Sequence, residues 1–297
     1  MLDPVLPIAI YLLLGYTFKI IHQDNSKQLI DFVVNISLPA IVFSKIYPLI
    51  LEEKIFHLVL MFIGLILFNL LLSYFIGKMM QLNKVLLATF MIISTFGNTS
   101  FIGFSYIDAF YGDEYIVYGL IYDLFGSFLL LVSIGMFIIT WGKNKKNSIM
   151  GTLKTIFLFP PNIMFIITIF AKNFEIPNFL ILTTQTLGST LVPIAMIAIG
   201  MKLELKNIFS KFHIVSIAVL IKMIIVPIIV LIGFQQFYGI NETWVKVTII
   251  EVAMPPMTMA TVLIIKNKLD ERVAINALVL GVLLSFLTIT LFTSFLK

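Results

Sequence analysis

Long apolar runs alternate with short polar connections along the whole chain. A helix needs about 20 largely apolar residues to cross a bilayer. Ten runs approach that length, at 4–21, 28–47, 55–79, 84–111, 114–141, 152–171, 177–201, 212–237, 243–265 and 272–296. The connections are too short to hold an extramembrane domain. The longest polar stretch, "GKNKKNS" at 142–148, falls near the midpoint. The pattern predicts an all-α polytopic membrane protein with ten transmembrane helices.

Two runs contain their own interruption. In "ISTFGNTSFIGFSYIDAFYG" (92–111), Gly97, Asn98, Thr99, Ser100 and Gly103 weaken a helix or compete for its hydrogen bonds. In "EVAMPPMTMATVL" (251–263), Pro255 and Pro256 remove two backbone donors and clash with the preceding turn. The two sites are related. "YGDEYIVYGLIYDLFGSFL" (111–129) resembles "KLDERVAINALVLGVLLSFL" (268–287), with Asp113 and Asp270 157 residues apart. "NISLPAIVFSKI" (35–46) resembles "STLVPIAMIAIG" (189–200), with Pro39 and Pro193 154 residues apart. At an offset of 157, Gly97 falls opposite Met254.

The matches predict an internal duplication, with a first repeat over 1–141, a basic linker over 142–151 and a second repeat over 152–297. Five helices per repeat is an odd number, so the second repeat enters the membrane inverted. Inverted repeats with paired broken helices mark substrate sites near the midplane of many secondary transporters. Unpaired backbone groups at membrane depth are tolerated only inside protein or along a watery cavity. A helix segment starting after a break offers N–H groups and a positive dipole end, which suits a carboxylate, and a segment ending there offers carbonyls to a cation. The predicted breaks lie at 97–100 and 254–257, and the predicted substrate site comprises Gly97, Asn98, Thr99, Ser100, Met254, Pro255 and Pro256. Two harmless kinks are the plainer alternative, since Gly and Pro are frequent in membrane helices.

Composition agrees with the pattern. Of 297 residues, 60% are hydrophobic and 12% charged, and the mean hydropathy is +1.08. Soluble domains carry about a quarter charged residues, so an aqueous monomer is excluded. The net charge of +5 reports topology rather than nucleic-acid binding, and "KNKKN" (143–147) is too short for a nucleic-acid stripe. Connections after odd-numbered helices, with their flanks, hold 14 of the 20 basic residues, and the even connections and termini hold four. The positive-inside rule places the odd connections in the cytoplasm and both termini outside. "MLDPVLPIAIYLLLGYTF" lacks a basic n-region and an A-x-A site, and reads as the first membrane helix rather than a removed signal peptide.

The chain has no cysteine, and His22, His57 and His213 lack a metal-ligand partner at i+3 or i+4. Thiol chemistry, disulfides and metal sites are therefore not expected, nor is a resident cofactor. No nucleophile–base arrangement or phosphate loop is present, so an enzyme is not expected. Charges inside spans are costly and mark function or a structural pair. Lys222 lies near mid-membrane, Glu251 one turn before Pro255 and Asp123 about ten residues into the fifth span. The functional reading gives Lys222 the positive potential for an anion, and Glu251 or Asp123 a coupling proton or sodium ion. The structural reading is a buried Lys–carboxylate pair. Asp108 falls near the outer end of the fourth span, and Lys45 is expected to snorkel to the outer surface.

At "SLPAIVFSKI" (37–46), "GNTSFIGFSYIDAFYGDE" (97–114), "VPIAMIAIGMKL" (192–203) and "AMPPMTMATVLIIKNKLDERVAINALVLGVLLSF" (253–286), the chain resembles the auxin efflux carrier family, which includes plant auxin exporters and bacterial malate and malonate permeases. The resemblance spans essentially the whole chain. It implies five plus five inverted helices, with helices 4 and 9 broken and crossing at the substrate site. A more distant similarity is to the bile acid and sodium symporter fold. Asn98 matches the crossover Asn that contacts the substrate carboxylate, and Pro255 matches the ninth-span crossover proline. Gly97 stands where the plant exporters have Pro, and Pro256 replaces a polar residue, which puts auxin itself in doubt. The long cytoplasmic loop of the plant proteins is absent, so a bacterial-type carrier is implied.

The leading expectation is a secondary carrier of a small organic anion in the cell membrane, taking a carboxylate such as malate, malonate or an auxin-like acid. Its partners would be that anion and the lipid bilayer, with no nucleic acid, and a homodimer is compatible. The alternatives are a sodium- or proton-coupled cation antiporter of related fold and a non-transporting membrane receptor.

Overall fold

A computed structural model describes residues 6–22, 25–49, 53–143, 149–202 and 211–296. Regular structure among them is helical, apart from one isolated β-bridge. In chain order the helices are α1 (Leu6–Ile21), α2 (Ser26–Ile46), α3 (Ile55–Met79), α4 (Lys84–Thr95), α5 (Phe104–Tyr111), α6 (Asp113–Gly142), α7 (Ile149–Phe157), α8 (Pro160–Ala171), α9 (Asn178–Lys202), α10 (Phe212–Phe237), α11 (Thr243–Val252), α12 (Thr258–Lys266) and α13 (Glu271–Phe295). Six of these, α2, α3, α6, α9, α10 and α13, are long and apolar enough to cross a membrane. α1, α4 and α8 are shorter apolar helices. The protein is a polytopic all-α membrane protein.

Local chemistry explains the boundaries. Asn83 begins α4 by accepting a bond from Leu86 N at 3.0 Å, and Asp270 begins α13 by accepting one from Val273 N at 3.1 Å. In α2 and α10 a π turn, Val33–Ser37 and Ile221–Ile225 respectively, stands just before Pro39 and Pro227. A proline frees the carbonyl one turn back, and a π turn is one way the ladder rearranges around it. The run expected at 152–171 is not one continuous helix. It stops at Leu158 and Phe159 and restarts at Pro160, because Pro160–Pro161 suit a helix start and not an interior. Of the expected linker, 144–148 lies outside the described residues, while Gly142 ends α6 and Ile149 begins α7.

The helices form two packed groups. α1, α2, α8 and α9 pack mainly on one another, and α3–α6 pack with α10–α13. α1 meets α9 unusually closely: a Cβ on Gly15 would collide with the Ile197 carbonyl oxygen, and one on Gly200 with that of Leu12. The ends of α2 and α8 are also tied, since Lys172 Nζ donates to the carbonyl oxygens of Tyr47 and Leu49. Lys45, expected to snorkel to the outer surface, pairs with Asp113 at the start of α6. A second ion pair joins Lys211, just before α10, to Asp270.

Candidate functional site

The interruptions of the fourth and ninth apolar runs lie against each other. α4 ends at Thr95, and Phe96 turns extended, with φ −84° and ψ 118°. Helical structure resumes as a π turn over Thr99–Gly103 that leads into α5. On the other run α11 ends at Val252, and α12 begins at Thr258. Between these ends Gly97 and Pro256 form an antiparallel bridge. Asn98 N donates to the Pro255 carbonyl at 2.8 Å, and Met257 N donates to the Phe96 carbonyl at 2.9 Å. Proline has no N–H, so this ladder uses the Pro255 carbonyl and the first amide after the prolines. Backbone groups freed by each interruption are thus satisfied by the other, as burial demands.

Side chains extend the junction. Asn98 Nδ2 donates to Thr258 Oγ1 at 2.9 Å, while its Oδ1 has no partner among the described residues. Thr99 Oγ1 donates to Asp123, and Ser100 Oγ donates to Asp123 Oδ2 at 2.5 Å. Asp123 sits on the π turn Tyr122–Phe128 of α6. Thr99 and Ser100 were expected in unwound backbone. They lie instead in the first turn of the resumed helix, which shortens the break to Phe96–Asn98. The other break matches its expected range, 254–257, with Ala253 added as a turn.

Lys222 is 1% exposed. Its Nζ donates to the Val252 carbonyl, at the negative dipole end of α11. A Cβ on Gly97 would sit 2.9 Å from that Nζ and 3.1 Å from Met254 Cβ, so the absent Cβ lets Lys222 and Met254 approach closely. No described carboxylate lies within ion-pair distance of Lys222, which removes the direct Lys–carboxylate pair. Glu251 is 0% exposed, and neither carboxyl oxygen has a hydrogen-bond partner among the described residues. A Cβ on Gly119 or on Gly103 would strike those oxygens, so the two glycines make the room for Glu251.

The structure therefore brings together all ten residues singled out in the sequence. Gly97, Asn98, Met254, Pro255 and Pro256 form the junction, Thr99 and Ser100 join it to Asp123, and Lys222 and Glu251 flank it. Sequence reasoning missed Thr258 and Gly119, and named Gly103 only as a helix breaker. A polar Thr immediately after "PPM" was a usable signal for Thr258. The roles of Gly103 and Gly119 depend on Glu251 arriving from another helix, which no local pattern reports. A separate cavity of about 520 Å³ opens between the two helix groups, lined in part by Tyr11, Ile41, Ser105, Asp108, Asp113 and Ser189.

Residues 1–293 match the model of a family described as membrane transport protein. The chain is similar to an uncharacterized transporter of Methanocaldococcus jannaschii, 28% identical over 310 residues that cover 98% of this chain and 97% of that protein. It is also similar to an uncharacterized transporter of Methanothermobacter thermautotrophicus, 23% identical over 301 residues with the same coverage, 98% and 97%.

Proposed function

The chain belongs to the auxin efflux carrier-like membrane transport family, and on that premise we propose that it carries a small organic anion across the cell membrane by alternating access. In this reading the ten apolar runs are ten spans in two inverted repeats, over 1–141 and 152–297. α4 with α5, and α11 with α12, are the broken fourth and ninth spans, crossing at the substrate site. Both termini face outward.

One observation carries the anion reading: a buried ammonium, Lys222, stands at the paired interruption with no carboxylate in ion-pair range among the described residues. A substrate carboxylate near Gly97 would meet that positive potential and the remaining N–H of the Asn98 amide, which has two donors and spends one on Thr258. Asp123 adds the coupling. Its carboxylate already occupies the start of the resumed helix through Thr99 and Ser100. An ionised Asp123 would repel an incoming anion there, and a protonated one would not. Proton and anion then bind together, with Glu251 a second buried carboxyl beside them.

Two buried carboxyls also support a second reading, cation–proton antiport through Asp123 and Glu251. Proteoliposomes separate the two. Organic-anion carriage predicts that labelled malate, or another small mono- or dicarboxylate from a panel, accumulates under an inward proton gradient. Sodium-driven collapse of a proton gradient, with no uptake of any acid in the panel, would establish the antiporter instead.

A further inference from the structure

The groove between α3 and α10 is a feature unrelated to the paired interruptions. Two cavities lie there end to end, sharing Met61 and Tyr238 in their walls. The first, about 260 Å³, is an almost wholly apolar groove between membrane-spanning helices, walled by Leu65 and Phe68 of α3 and by Ile229 and Gly233 of α10. The second, about 330 Å³, lies at the membrane-surface end of the same helices, where α10 gives way to α11, and it adds His57, Glu242 and Trp244. The joint feature is apolar along its length and polar at one end.

The polar end has specific chemistry. Phe234, Tyr238 and Trp244 form a three-ring cluster, with centroid separations of 5.3–5.8 Å and interplanar angles of 64–89°. Aromatic faces with an adjacent carboxylate recognise ammonium groups. Glu242 supplies the carboxylate. It occupies the N-cap position of α11 but makes no side-chain cap bond, and it forms no ion pair among the described residues. At the other end Gly233 borders open space in the groove wall: a Cβ placed there would meet nothing within 4 Å. The groove also flanks some of the most exposed apolar surface of the chain, including Phe237 at 81%.

We propose that this groove binds a membrane phospholipid with an amine headgroup. Part of one of its two acyl chains lies between α3 and α10, and its ammonium sits against the aromatic cluster and Glu242. The groove's apolar length opens onto helices that face hydrocarbon, which selects a lipid over a soluble amine. The acidic, aromatic mouth selects an amine headgroup over an anionic one. Such a lipid would bridge α3 and α10 at the edge of the second helix group.

Native mass spectrometry of the purified full chain tests this with phosphatidylethanolamine and phosphatidylglycerol of identical acyl chains. The expected result is one retained phosphatidylethanolamine per chain, favoured at least fivefold over phosphatidylglycerol. Gly233→Leu puts a branched side chain into the groove from a position whose Cβ meets nothing within 4 Å, and should lose the retained lipid. Glu242→Gln should keep a lipid but level the headgroup preference. Equal retention of both lipids by the wild type, or wild-type retention by Gly233→Leu, would overturn the proposal. So would displacement of the lipid by millimolar tetramethylammonium, which would mark a site for a soluble amine.

Discussion

Asn98 bonds across the two interruptions, and this double duty shapes the test of its role. It is the brace to Thr258 and the proposed donor to the substrate. Hydrogen bonds to an ionised group are worth about 1.5–3 kcal/mol, so Asn98→Ala should weaken anion binding by roughly 10- to 150-fold in calorimetry. Thr258→Val removes the same brace but spares the amide. It should lower the melting temperature about as much as Asn98→Ala while changing affinity far less. Equal affinity losses in the two variants would make Asn98 a brace only. Lys222 has no carboxylate within ion-pair distance among the described residues, but its Nζ donates to the buried Val252 carbonyl, so Lys222→Met should cost no more than about 1–3 kcal/mol of stability while cutting anion affinity at least tenfold. A large loss of stability with unchanged affinity would assign Lys222 to structure. For coupling, Asp123→Asn should preserve exchange of anion between equal pools but abolish accumulation under a proton gradient, and wild-type accumulation would move the proton to Glu251.

Breaks and boundaries at the scale of elements were legible in the sequence wherever one residue's own backbone chemistry decides them. Pro255, Pro256 and Gly97 stop helices by lacking a donor or a Cβ, so the interruptions lie where composition put them. The same logic applied to Pro160–Pro161, but the apolar run there read as continuous because hydropathy does not distinguish one helix from two. Partnerships between elements were not legible. The hydrogen bonds of Asp123 to Thr99 and Ser100 link positions 24 and 23 residues apart, and the Asn98–Thr258 bond spans 160. No local periodicity encodes such pairs. The α1–α9 contact is of this kind, since nothing marks Gly15 and Gly200 as partners until their helices touch. It yields a paired prediction. Gly15→Ala drives a methyl group into the Ile197 backbone, which cannot swing aside, and should cost about 1–3 kcal/mol or more in thermal or denaturant unfolding. Gly64→Ala on α3 meets nothing within 4 Å and should be neutral or stabilising by up to about 1 kcal/mol. If the two alanines behaved alike, the close approach of α1 to α9 would be wrong.

For the whole molecule, the two ion pairs differ in what they join. Lys211 and Asp270 both belong to the second helix group, so their bond cannot resist relative motion of the groups. Lys45 is on α2 and Asp113 on α6, so theirs ties one group to the other. Asp113 also lines the cavity of about 520 Å³ between the groups, which places the tie at that cavity's rim. In the proposed orientation this rim faces outward and the basic segment around Lys145 faces the cytoplasm, as the positive-inside rule expects. Since the chain has no cysteine, a single introduced thiol reads out access cleanly. In intact cells a cysteine at Lys145 should resist an impermeant thiol reagent, whereas one at Ala109, beside the cavity, should react. The tie is partly exposed, with side-chain exposures of 17% for Lys45 and 66% for Asp113. Pairs of that kind are worth up to about 1 kcal/mol, so Lys45→Ala should raise the reaction rate at position 109 by no more than about fivefold. Asp113→Ala should give the same increase, and the double variant should add nothing further, because both remove one interaction. Additive increases would mean that the two residues act separately, and reaction at position 145 but not 109 would invert the orientation.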